Sequence, residues 1–269
     1  MIARRVFLAG AAVAPLALRD ALGATEFAHV SWAQRLVREL APENNVYGSC
    51  PTYVVWADLA SGRPARNRSV CSSFVSHLLE QSYGFIPPDF AAWFRAPNPQ
   101  AGDYYDTIVA ERGFRRVHRV MDIQSGDLIA VKYPPGSRPS GHVMLAVGLA
   151  VPTIASVPLH GNTSQWALTV VDCSHSRHGT DDTRSKSGAS VTGVGRGIIR
   201  LYAREDGTLA GYTWSTLLYS SFRSQSERRA AIGRLDLALA PRPTGQPASS
   251  PLRPAQEPSA PADDAADDD

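Results

Sequence analysis

The spacing of apolar residues changes about halfway along the chain. In the first half these residues recur every three or four positions, a period that predicts amphipathic helices. Three segments show this period: Val30–Leu40, Val70–Gln81 and Tyr104–Arg112. Gly84 and Gly113 follow the second and third segments, at positions where glycine commonly ends a helix.

In the second half, short apolar runs stand between proline and glycine turns, a pattern typical of strands. Five runs show it: Asp127–Tyr133, His142–Gly148, Ala167–Cys173, Gly197–Ala203 and Gly211–Ser215. Helices followed by a series of strands predict an α+β domain whose antiparallel sheet packs against the helices.

The two ends of the chain differ from the middle. Residues 1–24 combine Arg4-Arg5 with an apolar run and small residues, which is the pattern of an export signal. The Arg-Arg-Val-Phe-Leu core is similar to a twin-arginine signal. Residues 241–269 are rich in Pro, Ala and Asp and predict a disordered acidic tail. We therefore expect one domain over residues 25–240, and a bacterial protein that is periplasmic or secreted.

Composition narrows the classes of function. With 43% hydrophobic and 19% charged residues, the chain is globular rather than fibrous or wholly disordered. The net charge of +2 conceals an acidic tail beside a mildly basic domain. No stripe of Lys and Arg carries interleaved aromatics, so no nucleic-acid partner is expected. No apolar run is long enough to span a bilayer, so stable membrane insertion after signal removal is not expected. The expected state is a monomer without a cofactor.

A cysteine at the start of the second predicted helix is the first candidate for chemistry. Cys71 lies on the apolar seam defined by Phe74, Val75 and Leu78, in the first turn. Free amides at a helix N-terminus stabilise an anion, which lowers the pKa of a thiol and favours a nucleophilic thiolate. A small buried core residue is the alternative, since free cysteine is among the most buried residue types.

A base and a carboxylate follow from strand periodicity. Alternation puts His142, Met144 and Ala146 on one face of their strand. If this strand pairs antiparallel with Ala167–Cys173, Asp172 falls opposite His142 on the same face. A carboxylate beside an imidazole fixes its tautomer and stabilises its cation. The three residues therefore form a candidate catalytic triad.

Several short segments, in this order, resemble the NlpC-like cell-wall cysteine peptidases of the papain-like superfamily. They are Pro51-Thr52-Tyr53-Val54-Val55-Trp56, Cys71-Ser72-Ser73-Phe74-Val75, Gly126-Asp127-Leu128-Ile129 with Gly141-His142-Val143-Met144, and Val170-Val171-Asp172-Cys173-Ser174. The resemblance implies a papain-like NlpC-type fold with the nucleophile at the N-terminus of a central helix. It also implies attack by Cys71, with Tyr53 and Ser72 in the oxyanion and substrate site, and peptidoglycan stem peptides as substrate.

Departures from that family keep other functions open. Val70 stands where the family has an aspartate that holds the substrate's free amine. An amidase or acyltransferase with another substrate is therefore a second hypothesis, and a non-catalytic envelope-binding domain is a third. The polar stretch with His175 and His178 is interpreted as a lip that contacts substrate, with a solvated loop as the alternative. A metal-dependent hydrolase built on this stretch is a distant fourth hypothesis, and no metal is predicted. Cys50 and Cys173 are candidates for a disulfide that leaves the nucleophile free.

Overall fold

Helices and strands follow one another much as the period change indicates. The computed structural model describes residues 27–188 and 191–248. The predicted export signal and the tail beyond residue 248 lie outside the described residues. The α-helices are α1 (Ala28–Glu39), α2 (Cys71–Tyr83), α3 (Pro87–Phe94) and α4 (Ala101–Val109). The strands are β1 (Asn45–Tyr47), β2 (Tyr53–Val55), β3 (Arg66–Ser69), β4 (Phe114–Val117), β5 (Leu128–Lys132), β6 (Gly141–Ala146), β7 (Val151–Thr153), β8 (Thr163–Ser174), β9 (Gly193–Arg204), β10 (Leu209–Thr213), β11 (Phe222–Ser224) and β12 (Arg229–Leu235). Within the described ranges, every helix is too short or too polar to cross a membrane.

Most of the strands form one sheet in which every pairing is antiparallel. Its order is β11-β10-β9-β8-β6-β5-β12-β4. β7 pairs with β8, on the edge of β8 that also carries β6. A separate three-stranded sheet has the order β1-β3-β2, with β1 and β3 parallel. The parallel pair puts Tyr47 opposite Ser69, two residues before α2 begins.

Two hydrophobic clusters cover the two faces of the large sheet. The first joins one face of β6, through Val143 and Leu145, to all four helices. The second lies on the other face, around Met144 and Ala146, and consists mainly of side chains of the sheet itself. Because each face has its own cluster, β6 is buried along its whole length, which is why its apolar run is nearly continuous.

Both ends of α2 are fixed by particular residues. At its start, the Ser73 hydroxyl accepts a hydrogen bond from the Val70 amide at 2.9 Å, which satisfies one of the donors that a helix start leaves open. At its end, Gly84 has a φ of 81°, a left-handed conformation that glycine adopts without strain. The stop predicted at Gly84 is confirmed.

The predicted register between β6 and β8 is wrong by two residues. Leu145 pairs with Val171, so the position opposite His142 belongs to Ser174 instead of Asp172. The difference arises in the long connection, where β7 pairs with residues 165–167 and β8 extends back to residue 163. Because side chains alternate with a period of two, a shift of two keeps His142 and Asp172 on the same face of the sheet.

The packed structure continues past the boundary predicted at residue 240. The Gly245 amide donates to the Gly84 carbonyl at 2.9 Å, and the Ala248 amide donates to the carbonyl of Gln81 at 3.0 Å. The Thr244 hydroxyl adds a hydrogen bond of 2.9 Å to Asp89 in α3. Residues 241–248 are therefore part of the fold rather than of a disordered tail. The end of α2 and the start of α3 supply the hydrogen-bond partners that the segment itself lacks.

Candidate active site

Cys71 is the first residue of α2 and is 4% exposed. It belongs to the core cluster with Phe74 and Val75, as the predicted seam requires. It also lines an open cavity. The first amides of α2 have no acceptors within the helix and favour negative charge at this point. The Cys71 side chain is therefore packed in the core and also reachable from the cavity.

His142 on β6 is oriented by Asp172 on β8. Its Nε2 lies 2.7 Å from Oδ2 of Asp172, which is fully buried. A carboxylate accepts hydrogen bonds, so Nε2 carries a hydrogen and Nδ1 is the nitrogen available to Cys71. The ring of Trp214 packs edge-on against the imidazole at 4.9 Å between centroids. The imidazole is therefore held from two sides.

The thiol and the imidazole shift each other's pKa. Burial raises the pKa of Cys71, but the His142 cation, a hydrogen bond to its ring and the Val143 amide together bring the pKa below its usual value. Burial also opposes charge on His142. The negative charge of Cys71 and the hydrogen bond to Asp172 outweigh that effect and raise the pKa of His142. Opposite shifts in a contacting pair favour thiolate and imidazolium near neutral pH.

Two further basic side chains face Asp172. Nη2 of Arg184 lies 3.0 Å from its Oδ1, and Nε2 of His178 lies 3.1 Å from its Oδ2. Neither contact has hydrogen-bond geometry, and we attribute the Arg184 contact to the attraction between opposite charges. Burial raises the pKa of Asp172, but Arg184 and His178 overcome this effect and hold it well below its usual range. Asp182 fixes Arg184 through two hydrogen bonds of 2.8 and 2.7 Å.

The two histidines predicted to contact substrate have different positions. His178 is 2% exposed, its Nδ1 lies 2.7 Å from the Trp214 carbonyl, and it supports Asp172 instead of facing substrate. The substrate-binding prediction for His178 is therefore wrong. The exposed ring of His175 packs on Tyr47 at 4.2 Å between centroids and does line a cavity of the site. No group of three His, Cys, Asp or Glu is arranged for a metal in the part of the chain that the structure describes.

The tyrosine beside the nucleophile is Tyr47 rather than Tyr53. Tyr53 lines a separate cavity, with the guanidinium of Arg66 5.7 Å from its ring centroid. Tyr47 lines the same cavity as Cys71 and Ser72, and burial and the thiolate charge raise the pKa of its hydroxyl. Tyr47, and not Tyr53, therefore lines the cavity of the nucleophile, because the parallel pairing of β1 with β3 brings the end of β1 beside the start of α2. The position of Ser72 in the cavity agrees with its prediction.

The three cysteines have no disulfide between them. Cys50 is exposed, and Cys173 is buried. The Cys173 thiol donates to the Ser69 carbonyl at 3.0 Å, and burial raises its pKa to about 12. The predicted Cys50–Cys173 bridge is therefore wrong. Cys71 differs from Cys173 in combining a lowered pKa with access to a cavity.

Cys71 and His142 lie where two cavities meet. The helix-side cavity, of about 490 Å³, lies between the start of α2, residues 97–101 and residues 139–141. The strand-side cavity, of about 380 Å³, is lined by side chains that include His142, Tyr133, Tyr212, Trp214, Arg223 and Arg228. Tyr47, Pro139 and Gly141 line both. The two cavities therefore form one groove that passes the thiol and the imidazole.

Three residues of the site were not predicted from the sequence. Arg184 directly follows the polar stretch, and its closeness to Asp182 is the one local signal that an ion pair lies there. Tyr47 and Trp214 have no such signal, because Tyr47 reaches the site through the pairing of β1 with β3, and Trp214 follows β10 directly.

The fold and the site define an α+β protein with a buried cysteine, histidine and aspartate at the junction of helix and sheet. No protein-family profile and no solved structure matches the chain. It is 32% identical over 223 residues to uncharacterized protein R653 of Acanthamoeba polyphaga mimivirus, in an alignment that covers 77% of this chain and 95% of the relative. The chain belongs to the same protein family as this viral protein.

The viral relative contradicts the predicted location. The prediction of an exported bacterial protein, periplasmic or secreted, is wrong, because the relative that the chain matches is a viral protein. The resemblance to NlpC-like peptidases stays a prediction.

Proposed function

We propose that this protein is a cysteine hydrolase that cleaves amide or peptide bonds through Cys71, His142 and Asp172. One observation carries the proposal. A thiol at a helix N-terminus lies beside an imidazole whose charge lowers the thiol's pKa, and one nitrogen of that ring lies 2.7 Å from a fully buried carboxylate. A structural cysteine needs neither partner, as the bond of Cys173 to a backbone carbonyl illustrates.

The geometry accounts for a two-step reaction. The Cys71 thiolate adds to the carbonyl carbon, and the C–N bond breaks as His142 gives its proton to the departing nitrogen. Water then attacks the thioester while His142 takes a proton from it, the acid leaves, and the thiolate and imidazolium are restored. Asp172 orients the ring and stabilises its charge without taking the proton, since Arg184 holds its pKa well below the usual range against the effect of burial.

Charge that develops on the carbonyl oxygen has two sources of stabilisation. The amides in the first turn of α2 lack helical acceptors, and the Tyr47 hydroxyl lines the same cavity. Because burial and the thiolate raise the pKa of Tyr47, its hydroxyl stays protonated and donates a hydrogen bond. Donors that are fixed before the reaction are the most effective form of such stabilisation.

An acyltransferase is the second candidate, and the groove favours it. The thioester would lie between two open cavities, and an amine that enters either one reacts in place of water. Val70 lines the helix-side cavity and brings no charge to it, so the amine recognition of the NlpC-like family has no counterpart at this position. Peptidoglycan stem peptides stay one proposed substrate, on the resemblance alone.

Cleavage of a random hexapeptide mixture and of purified peptidoglycan, followed by mass spectrometry, tests the hydrolase. Cys71→Ala in the full chain should abolish product formation. Cys50→Ala removes an exposed thiol outside the triad and should leave the rate unchanged. Product from Cys71→Ala at the wild-type rate would overturn the proposal. Products that contain an added amine in place of water would identify transfer.

A further inference from the structure

The strand-side cavity carries positive charge that the proposed chemistry does not use. Arg223 on β11 and Arg228 just before β12 line it, beside His142 and Trp214. Both arginines are half-buried. Neither guanidinium forms an ion pair with a carboxylate in residues 27–188 or 191–248.

The nearest acid in sequence is Glu227, whose pKa is lowered mainly by hydrogen bonds from Ser224 and further by the charges of Arg223 and Arg228. The Glu227 carboxylate accepts hydrogen bonds from the Ser224 amide at 3.0 Å and the Ser224 hydroxyl at 3.2 Å, and the residue is exposed. The described residues that line the strand-side cavity include no aspartate or glutamate, whereas those of the helix-side cavity include Glu80. The positive charge is therefore available to a ligand.

The positions of both arginines are constrained. The guanidinium of Arg228 lies 4.3 Å from the ring centroid of Tyr133, a cation–π contact that restrains a long side chain. Arg223 is paired with Tyr212 in the β10–β11 ladder. A guanidinium fixed at the wall of a cavity matches the planar geometry of a carboxylate.

The path of the proton decides which part of the substrate enters this cavity. His142 gives its proton to the nitrogen of the broken bond, so the departing amine must lie on the His142 side. His142 lines the strand-side cavity, whereas Cys71 and Ser72 line the helix-side cavity. The acyl part of the substrate therefore occupies the helix-side cavity, and the amine part occupies the strand-side cavity.

We propose that Arg223 and Arg228 form a subsite for a carboxylate on the amine part of the substrate, such as the terminal carboxylate of an amino acid or short peptide. This inference rests on the proposed hydrolase and deepens it. It makes the protein selective for amides whose leaving group is an amino acid or peptide with a free carboxylate.

Chloroacetyl-alanine and chloroacetyl-alaninamide test the subsite, since both alkylate thiols and they differ only in the carboxylate. We expect the acid to alkylate Cys71 of the full chain about tenfold faster than the amide, because its carboxylate adds one charge-assisted hydrogen bond. Arg223→Gln and Arg228→Gln should remove this preference, so that acid and amide react at the same rate in each variant. Arg116→Gln, on β4 outside the groove, should keep the preference. Equal rates with acid and amide in the wild-type chain would overturn the subsite.

A binding measurement separates failure of the subsite from failure of the hydrolase. If Cys71 reacts with neither probe faster than Cys50, the hydrolase fails, and the subsite is then judged by binding alone. Acetyl-alanyl-alanine and its amide are titrated into Cys71→Ala while the indole N–H signal of Trp214 is followed by NMR. A shift caused by the acid alone and lost in Arg228→Gln supports the subsite. No shift with the acid overturns it.

Discussion

Asp172→Asn removes one charge from the site and keeps the shape of the side chain. Asp172 accepts a hydrogen bond from His142 at 2.7 Å and faces Arg184 and His178. The amide that replaces it is neutral. Its NH₂ group also places a hydrogen-bond donor opposite the nitrogen of at least one of these three side chains. The His142 imidazolium loses its counter-charge, so its pKa falls and the thiolate of Cys71 loses its partner.

Asp172 affects the pKa of Cys71 in two opposite ways, and the larger effect decides the outcome. Asp172 directly raises the pKa of Cys71, but after burial the attraction of the His142 cation is the larger effect and lowers it. The net effect of losing Asp172 is therefore a less acidic thiol. A charge-assisted hydrogen bond contributes about 2 kcal/mol, which corresponds to alkylation slower by up to about 30-fold.

Stability has to be measured beside reactivity. Removal of one partner from a buried ion-pair network costs about 3 to 5 kcal/mol, against a total of about 5 to 15 kcal/mol for a typical domain. Urea unfolding therefore accompanies alkylation of Cys71 with iodoacetamide at pH 6. Asp182→Asn is the matched control, because it weakens the same network at Arg184 without touching His142. Equal alkylation rates in wild type and Asp172→Asn, or an equal loss in both variants, would refute the reasoning.

Three further predictions concern other parts of the chain. Burial lowers the pKa of His29 from 6.5 to about 4, so the unfolded chain binds more protons between these values. Stability should fall by about 3 kcal/mol from pH 7 to pH 4, and urea unfolding of His29→Asn should lack this component; an identical pH dependence would contradict it. Tyr47→Phe should slow peptide cleavage about 100-fold, as the loss of an oxyanion donor does, with iodoacetamide alkylation of Cys71 unchanged; unimpaired cleavage would exclude the oxyanion role. A chain that ends at Ala240 should be less stable in urea than one that ends at Ala248 by about 2 kcal/mol, and equal midpoints would show that the segment adds nothing.

The three triad residues could be predicted because each depends on a local pattern. The seam of α2 places Cys71, and the period of two places His142 and Asp172 on one face of the sheet. The error in register was two residues, so it left the faces unchanged. An error of one residue would have put Cys173 in the place of Asp172, and the chemistry would have been lost.

The rest of the site depends on pairings that leave little local signal. Tyr47 reaches Cys71 through β1 and β3, strands of three and four residues with mostly polar sequences. Arg223 lies on a strand of three residues. Arg184 meets Asp172 because the segment after β8 folds back, which spacing along the chain does not predict. α3 has only eight residues and opens with two prolines, which fit the first turn of a helix.

We propose that Cys71 and His142 form a thiolate–imidazolium pair. It is tested most directly by the rate at which iodoacetamide alkylates each cysteine between pH 5 and pH 9, measured on the separated peptides. An ordinary thiol loses about tenfold in rate for each pH unit below about 8.5, and exposed Cys50 is the internal reference. The account predicts that Cys71 stays reactive at pH 5 to 6, where Cys50 is slow, and that His142→Ala removes this advantage. A Cys71 that follows the same pH curve as Cys50 would contradict it.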